Sequence, residues 1–222
     1  MIAVSVLLPS RRREALLRES VASLAATAAH PEQMEVLIAA DPDDPATQGF
    51  TIAAPPTVRV LTAPQRWGRG WVHEYYNWLA LQATGHWLLI FNDDAVMETP
   101  GWDKILCEQE PGIVVVGSNH GDHMFVAAPA AWVQAAGHMS PTPDLDNFLF
   151  EVGQRAGRLQ RPELRVFHSP YYLTGANNDA NYQEGCADRE RFNEAAGADW
   201  GVSAAREQAM RRMTEAIREL IA

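Results

Sequence analysis

Cysteine is scarce, with two in 222 residues. Cys107 and Cys186 stand alone, without partners at metal-ligand spacing, which argues against a disulfide framework and against a zinc module and leaves two reduced structural thiols. Missing too is any apolar run near the roughly 18 to 20 residues of a membrane-crossing helix. There is no internal repeat and no low-complexity tract. Basic charge is outnumbered: 18 Lys and Arg against 28 Asp and Glu give a net charge of −10. A protein that grips nucleic acid mainly through phosphates needs a broad basic face, so that class is disfavoured. The amino terminus places Ile2-Ala3-Val4 before Arg11-Arg12-Arg13, the reverse of the charge order in a secretory signal, and a cytoplasmic location is the expectation.

What is present is an ordinary globular composition, 47% apolar and 21% charged, in a length suited to one α/β domain over 1–222. Ile2 to Leu8 has the β-branched and aliphatic content of a strand, closed by Pro9-Ser10. Leu17, Val21, Leu24 and Ala28 recur at helical spacing from Arg13 to Ala29. Strands follow at Glu35 to Ala40 and Thr57 to Thr62, the first running into the acidic loop Asp41-Pro42-Asp43-Asp44-Pro45. A glycine-bearing loop, Gln65 to Gly70, leads into a helix from about Trp71 to Thr84, with Val72, Tyr75 or Tyr76, Leu79 and Ala83 as its buried stripe and Asn77 on another face. This order begins a doubly wound parallel sheet.

The stretch Gly85 to Ala95 is the most informative. Trp87 to Phe91 reads as a strand buried on both faces, and it delivers Asn92-Asp93-Asp94 at its carboxyl end. In open α/β sheets ligands bind there, and hard oxygen ligands suit a divalent cation that carries a phosphate. The plain alternative is a pair of turn-capping acids. Further on come a helix at Gly101 to Glu108, a strand at Ile113 to Val116, a polar loop with His120, Asp122 and His123, a short strand from Met124 to Ala127 and a helix from Pro129 to Gly137. A helix opened by Asp144-Leu145-Asp146 runs to about Gly157, and Arg165 to His168 is the last strand. Thr174 to Asp199 lacks a clear period and reads as a long loop, of the kind that often covers a substrate. Ser203 to Ile221 is amphipathic, with Met210, Met213, Ile217 and Leu220 in one stripe that packs on its own domain or forms a homodimer contact. Arginines cluster at 11–13, at Arg66 and Arg69, and at Arg155, Arg158, Arg161 and Arg165; such spots can hold one diphosphate, though solvated faces explain most of them.

Taken together, these pieces resemble the nucleotide-sugar glycosyltransferases of the GT-A fold, especially the inverting family 2. The resemblance rests on Val6-Leu7-Leu8-Pro9-Ser10-Arg11 closing the first strand, Asp41 to Asp44 after the second, Gly68, Gly70 and Asn77 in loop and helix, and Gly85 to Asp94 as a DXD-like element with Asn92 in place of the first acid. It implies a Rossmann-like, mostly parallel central sheet flanked by helices, with a nucleotide-sugar-binding half over 1–117 and a smaller acceptor-binding half over 118–222. It implies Mn²⁺ or Mg²⁺ on Asp94, with Asn92 and His168 as further ligands and Asp93 beside the donor. Pro9, Ser10, Arg11 and Asp41 would surround the nucleoside; Arg66, Gly68, Gly70 and Asn77 would approach the donor more loosely. Asp146, with Asp144 second, is the candidate general base on the acceptor hydroxyl, against the plain alternative of helix capping.

The implied partners are a nucleoside-diphosphate sugar, a UDP-sugar first, and a soluble acceptor: a glycan, a protein side chain or a hydroxylated base in viral-type DNA. A sugar-nucleotide-forming nucleotidyltransferase is disfavoured because Pro9-Ser10-Arg11-Arg12-Arg13 contains no glycine. A non-catalytic nucleotide- or sugar-binding relative is the other alternative, favoured by the departures at Asn92 and Leu145. Trp67 or Trp200 could stack on a sugar or base.

Overall fold

The computed structural model describes residues 1–53, 55–121, 124–169 and 204–221, with 179, 180, 183, 184, 187, 191 and 194 between the last two stretches. The strands are β1 (Val4–Ser10), β2 (Met34–Ala40), β3 (Thr57–Thr62), β4 (Trp87–Ile90), β5 (Ala95–Met97), β6 (Ile113–Ser118), β7 (Phe125–Pro129), β8 (Leu159–Gln160) and β9 (Arg165–His168). The helices are α1 (Glu14–Thr27), α2 (Pro45–Gln48), α3 (Val72–Ala80), α4 (Trp102–Cys107), α5 (Ala130–Ala136), α6 (Leu145–Ala156) and α7 (Ala204–Ile221).

All strands join one sheet in the order β3-β2-β1-β4-β7-β6-β9-β5, with β8 added beside β6. The first four in that order are mutually parallel, as are β6 with β8 and β6 with β9. Antiparallel pairing enters at β7 and at β5. The central parallel strands β2 and β4 are buried on both faces, which is why they read as largely apolar runs, whereas the edge strand β3 is partly exposed.

The period of two sorts their side chains between two cores. Val4, Val6, Leu8, Val36, Ile38, Leu89 and Phe91 face a layer completed by Leu17, Val21 and Leu24 of α1 and by Trp102 and Leu106 of α4. Leu7, Leu37, Ala39, Leu88 and Ile90 face the opposite layer, made by α3, α5, α6 and α7. Each fully buried aliphatic or aromatic side chain contributes about 1.5–3 kcal/mol, so the alternation defines the register.

Several expected boundaries move. β1 does not stop before Pro9-Ser10 but runs through both, because β4 pairs with it only as far as Leu7, so at Pro9 the strand has a free edge on which a missing donor is tolerated. The helix expected to reach Thr84 ends at Ala80, and Leu81 is largely exposed. Three short elements had no legible period: α2, β5 and β8. In α7 the buried stripe is Met210, Met213 and Ile217, packed within this chain, whereas Leu220, expected inward, is exposed. No helix among the described residues is long and apolar enough to cross a membrane.

Candidate functional site

Three neighbouring parallel strands end on one rim of the sheet. Ser10 closes β1 opposite Ala40 at the end of β2, and Leu7 pairs with Ile90 of β4. This register brings Ser10, Asp41 and the segment Asn92-Asp93-Asp94 together, although they are far apart in sequence. Ser20 of α1 donates to the Asn92 carbonyl at 3.0 Å, tying the covering helix to that segment.

Past β1 the chain turns sharply. Arg12 adopts a left-handed backbone, φ 54°, a conformation that costs a non-glycine residue about 1–3 kcal/mol. Asp44 holds it there: this buried carboxylate accepts from the Arg12 amide at 2.8 Å and from the Thr47 hydroxyl and amide. Arg11 and Arg13 flank the turn, and both side chains are engaged with acids of the rim.

Around Asp41 the arrangement is a closed network. The Tyr75 hydroxyl donates to Asp41 and accepts from the Trp67 and Gly68 amides at 3.0 and 3.1 Å, so a single phenol joins α3, the glycine loop and the β2 end. Gly68 takes φ 72°, the left-handed region in which a side chain would be strained, and this lets its amide face the phenol. Arg11 reaches Asp41 at 3.0 Å and Asp43 at 2.9 Å. Burial raises the Asp41 carboxyl above its usual range, with Tyr75 and Arg11 opposing that rise, whereas the hydrogen bond from Arg11 pulls exposed Asp43 down to about 2.

At the β4 end, Asp93 is buried, accepts from the Ser10 hydroxyl at 2.7 Å and lies 3.2 Å from the Arg13 guanidinium. Burial pushes its pKa up to about 6, with Arg13 and Ser10 opposing and Asp94 adding to the rise. Asp94 turns the other way: its Oδ1 is 3.1 Å from His168 Nε2, and Arg13 lies 3.7 Å from its other oxygen. His168 closes β9, and its ring stands edge-on to Phe125. Asn92 is held by the Tyr76 hydroxyl at 3.2 Å, and its amide nitrogen is 3.5 Å from His168 Nε2. Asn92, Asp94 and His168 therefore converge. Among the described residues no group of three or more His, Cys, Asp or Glu gathers around a metal-sized space, so only two members of this trio carry the usual ligand types.

The two candidate bases part company. Asp144 sits at the N-cap position of α6, but its carboxylate makes no backbone cap; it accepts from Asn147 at 2.6 Å and from Arg206 of α7 at 3.3 Å. Asp146, in the first turn of α6, is near enough to the rim for its charge to be felt there. Together with Asp93 and Asp94 it acts on the buried Tyr76 phenol, whose pKa is raised first by burial and then by these three carboxylates.

Other expected residues have different surroundings. Pro9 lies within β1 and Gly70 in the turn before α3. Arg66 stands at the edge, 3.9 Å from Asp41 and 2.7 Å from Glu184. Asn77 spends its amide on the 139–140 loop, accepting from Met139 at 2.8 Å and donating to the Ser140 carbonyl at 2.8 Å, so it braces the loop between α5 and α6. His120 approaches the His168 carbonyl at 2.9 Å; Asp122, His123, Trp200 and most of Thr174 to Asp199 lie outside the described residues. Of the arginines clustered from the end of α6 onward, Arg155 pairs with Glu207 at 2.8 Å through both terminal nitrogens and Arg161 lies over Phe150, whereas Arg158 and Arg165 are exposed.

Sequence reasoning did not single out Arg13, Tyr75 or Tyr76. Arg13 was one of a cluster, and its place one turn after β1 was the available signal. The two tyrosines read only as helix core, since a period locates a face and says nothing of a hydroxyl at its end.

Compared by sequence with curated proteins, the chain has no significant match. Among solved structures it is similar to S. aureus TarS 1–349, at TM-score 0.57 and 13% identity over 99% of this chain and 82% of that one. The mannosyltransferase PcManGT from Pyrobaculum calidifontis, in complex with GDP-Man and Mn²⁺, gives TM-score 0.57 and 12% identity over 98% of this chain and 74% of that one. TarS 1–349 in complex with UDP-GlcNAc gives 0.56 and 13%, over 97% and 72%. At such identities these likenesses speak to the fold, the GT-A arrangement. The sequence profile of glycosyl transferase family 2 matches residues 5–121, more than half of the chain, and with the strand order and rim described above it makes this protein a member of that family of glycosyltransferases.

Proposed function

We propose that the protein transfers a sugar from a nucleoside-diphosphate sugar to an acceptor hydroxyl with inversion, assisted by Mn²⁺ or Mg²⁺. The observation that carries this reading is the convergence of Ser10, Asp41, Asn92, Asp93, Asp94 and His168 on one rim, with Asp146 of α6 close enough to act on the same buried Tyr76 phenol as Asp93 and Asp94. A UDP-sugar is the first choice of donor, supported by the UDP-GlcNAc complex of TarS, with GDP-mannose, the ligand of PcManGT, as the second.

The donor set fits a cation. Asp94 Oδ1 and His168 Nε2 are 3.1 Å apart, near enough that both would hold one divalent ion. Carboxylate and imidazole together suit Mn²⁺. Asn92 adds a neutral amide, oriented by Tyr76. When bound, the ion supplies Lewis-acid neutralisation of the leaving diphosphate. Asp41, held by Tyr75 and Arg11, takes the nucleoside, and Ser10 keeps Asp93 aligned beside the diphosphate. Asp146 removes the acceptor proton as the hydroxyl oxygen bonds to the anomeric carbon; the bond to the β-phosphate oxygen breaks and its electron pair leaves with the nucleoside diphosphate. Asp144 positions the α6 terminus through Arg206 rather than serving as the base.

A soluble acceptor, a glycan or a protein side chain, is favoured over a base in DNA, because the chain carries a net charge of −10 and Arg155, one of its clustered arginines, is already engaged with Glu207. The test is a thermal-shift panel of UDP, GDP, CDP and dTDP with and without Mn²⁺, on the wild type and on Asp94→Ala. A cognate nucleotide at a hundredfold excess over Kd adds about 2.7 kcal/mol, roughly 5–10 °C for a chain of this size. A flat response to all four, or an equal metal-dependent response in Asp94→Ala, overturns the reading.

A further inference from the structure

Two acids that follow β9 reach back to the rim, and both land on arginines. Asp179 accepts from Arg13 Nε at 2.7 Å and from its terminal nitrogen at 3.0 Å, a two-point grip on the same guanidinium that faces Asp93 and Asp94. Glu184 accepts from Arg66 at 2.7 Å, on the Asp41 side, and lies 3.7 Å from Arg11 Nε. That Arg11 nitrogen is buried and has no hydrogen-bond acceptor among the described residues.

The chemistry of these contacts is that of an anion site. Paired N–H groups of a guanidinium accept carboxylate and phosphate oxygens in the same fork geometry. Arg13 is only 10% exposed, and it also contacts the two motif acids. Asp179 and Glu184, at 39% and 40%, are the exposed and replaceable partners. Arg13 flanks the Asp94 end of the rim and Arg66 the Asp41 end, the order in which the sugar-bearing and nucleoside-bearing ends of a donor would lie. Without a cation between them, Asp93 and Asp94 would repel any diphosphate, and Arg13 is a cationic side chain in contact with both.

We propose that Arg13 and Arg66 bind the two phosphates of the donor diphosphate, and that Asp179 and Glu184 occupy these arginines in the donor-free chain as internal stand-ins for the phosphates. Donor binding is then an exchange of ion pairs, in which a phosphate oxygen takes the place of a carboxylate oxygen on each guanidinium. The displacement lowers donor affinity and screens Arg13 and Arg66 from isolated small anions. This inference rests on the donor site proposed above and adds Arg13 and the two acids to it.

The test is calorimetric titration of the full chain with UDP, and separately with inorganic pyrophosphate, in the presence of Mn²⁺. The double variant Asp179→Asn/Glu184→Gln keeps side-chain shape and removes both charges; it should bind each probe at least fivefold more tightly than the wild type. Arg13→Met should weaken pyrophosphate binding at least tenfold. If the wild type binds UDP but the double variant binds it no more tightly, the stand-in role is overturned while the donor site survives. If neither protein binds UDP, GDP, CDP or dTDP, the donor reading itself fails, and the stand-in role with it. Should Arg13→Met fail to fold, the double variant, which alters only partly exposed side chains, decides the matter alone.

Discussion

Tyr75 gives its hydroxyl proton to Asp41 while accepting the Trp67 and Gly68 amides, so the acid at the end of β2 and the glycine loop share one anchor. Removing that hydroxyl leaves a buried carboxylate oxygen and two loop amides without their partner. Hydrogen bonds to charged groups are worth about 1.5–3 kcal/mol. Tyr75→Phe should therefore lower the urea-unfolding free energy by about 2 kcal/mol and weaken nucleotide binding while the β-sheet signal is retained. Unchanged nucleotide affinity would reduce Tyr75 to a core residue.

Asp144 and Asp146 are separated by a single residue yet should behave oppositely. Asp146→Asn is expected to abolish transfer with nucleotide affinity intact, because only the proton acceptor is lost. Asp144→Asn should retain turnover and lose about 1–3 kcal/mol of stability, since the buried Arg206, which also meets Glu151, loses one of the carboxylates that neutralise it. Single-turnover rates beside denaturation midpoints separate the two outcomes; a large rate loss in Asp144→Asn with normal stability would exchange the roles.

His73 supplies a pH test that does not pass through the acids of the rim. Burial, followed by the neighbouring His138, pushes its pKa down from 6.5 to about 4. Below pH 6.5 the unfolded chain takes up a proton that the folded chain refuses, so this contribution to stability is full above that pH and is lost as pH falls toward 4. The whole effect is roughly 3 kcal/mol. Asp93, raised to about 6, acts in the opposite sense: its contribution is present below about pH 4 and disappears as pH rises through 6. The measurement is therefore the stability difference between wild type and His73→Gln at several pH values. That difference should shrink as pH falls from 6.5 to 4, and a constant difference would contradict the assignment.

Gly85 tests the entry to β4. A Cβ there would lie 2.6 Å from the Ser5 backbone nitrogen and 2.8 Å from the Val4 carbonyl carbon. Both are backbone atoms of the central strand and cannot step aside, so Gly85→Ala should cost about 2–3 kcal/mol, read as a shift in the urea midpoint. A loss below about 0.5 kcal/mol, within the range of ordinary surface substitutions, would mean that β1 and β4 separate without penalty.

Much of the rim could be read from residue order because it is made by local rules. Apolar runs mark β1, β2 and β4, and strand ends in an α/β sheet are where polar residues gather. Leu145 to Val152 likewise repeat as a helix, whose dependence on Arg206 no period could disclose. The strand β5 has three residues and owes its existence to pairing with β9, some seventy positions later. Asn77 shows the remaining gap: its face was legible, yet its amide is engaged with a loop that only the folded chain brings near. Side-chain partners distant in sequence leave no local trace.

The packing of α7 against α5 and α6 has a consequence for synthesis. β1 to β4 are complete once residue 90 has emerged, whereas α7, which buries Met210, Met213 and Ile217 on the α5–α6 side, begins more than a hundred residues later. At about 5–20 residues per second that interval is on the order of ten seconds. A nascent chain thus carries the four strands β1 to β4 while the helix bearing Asp146 still lacks its cover. Chaperone capture, and loss to aggregation when α7 is shortened, should concentrate in that window.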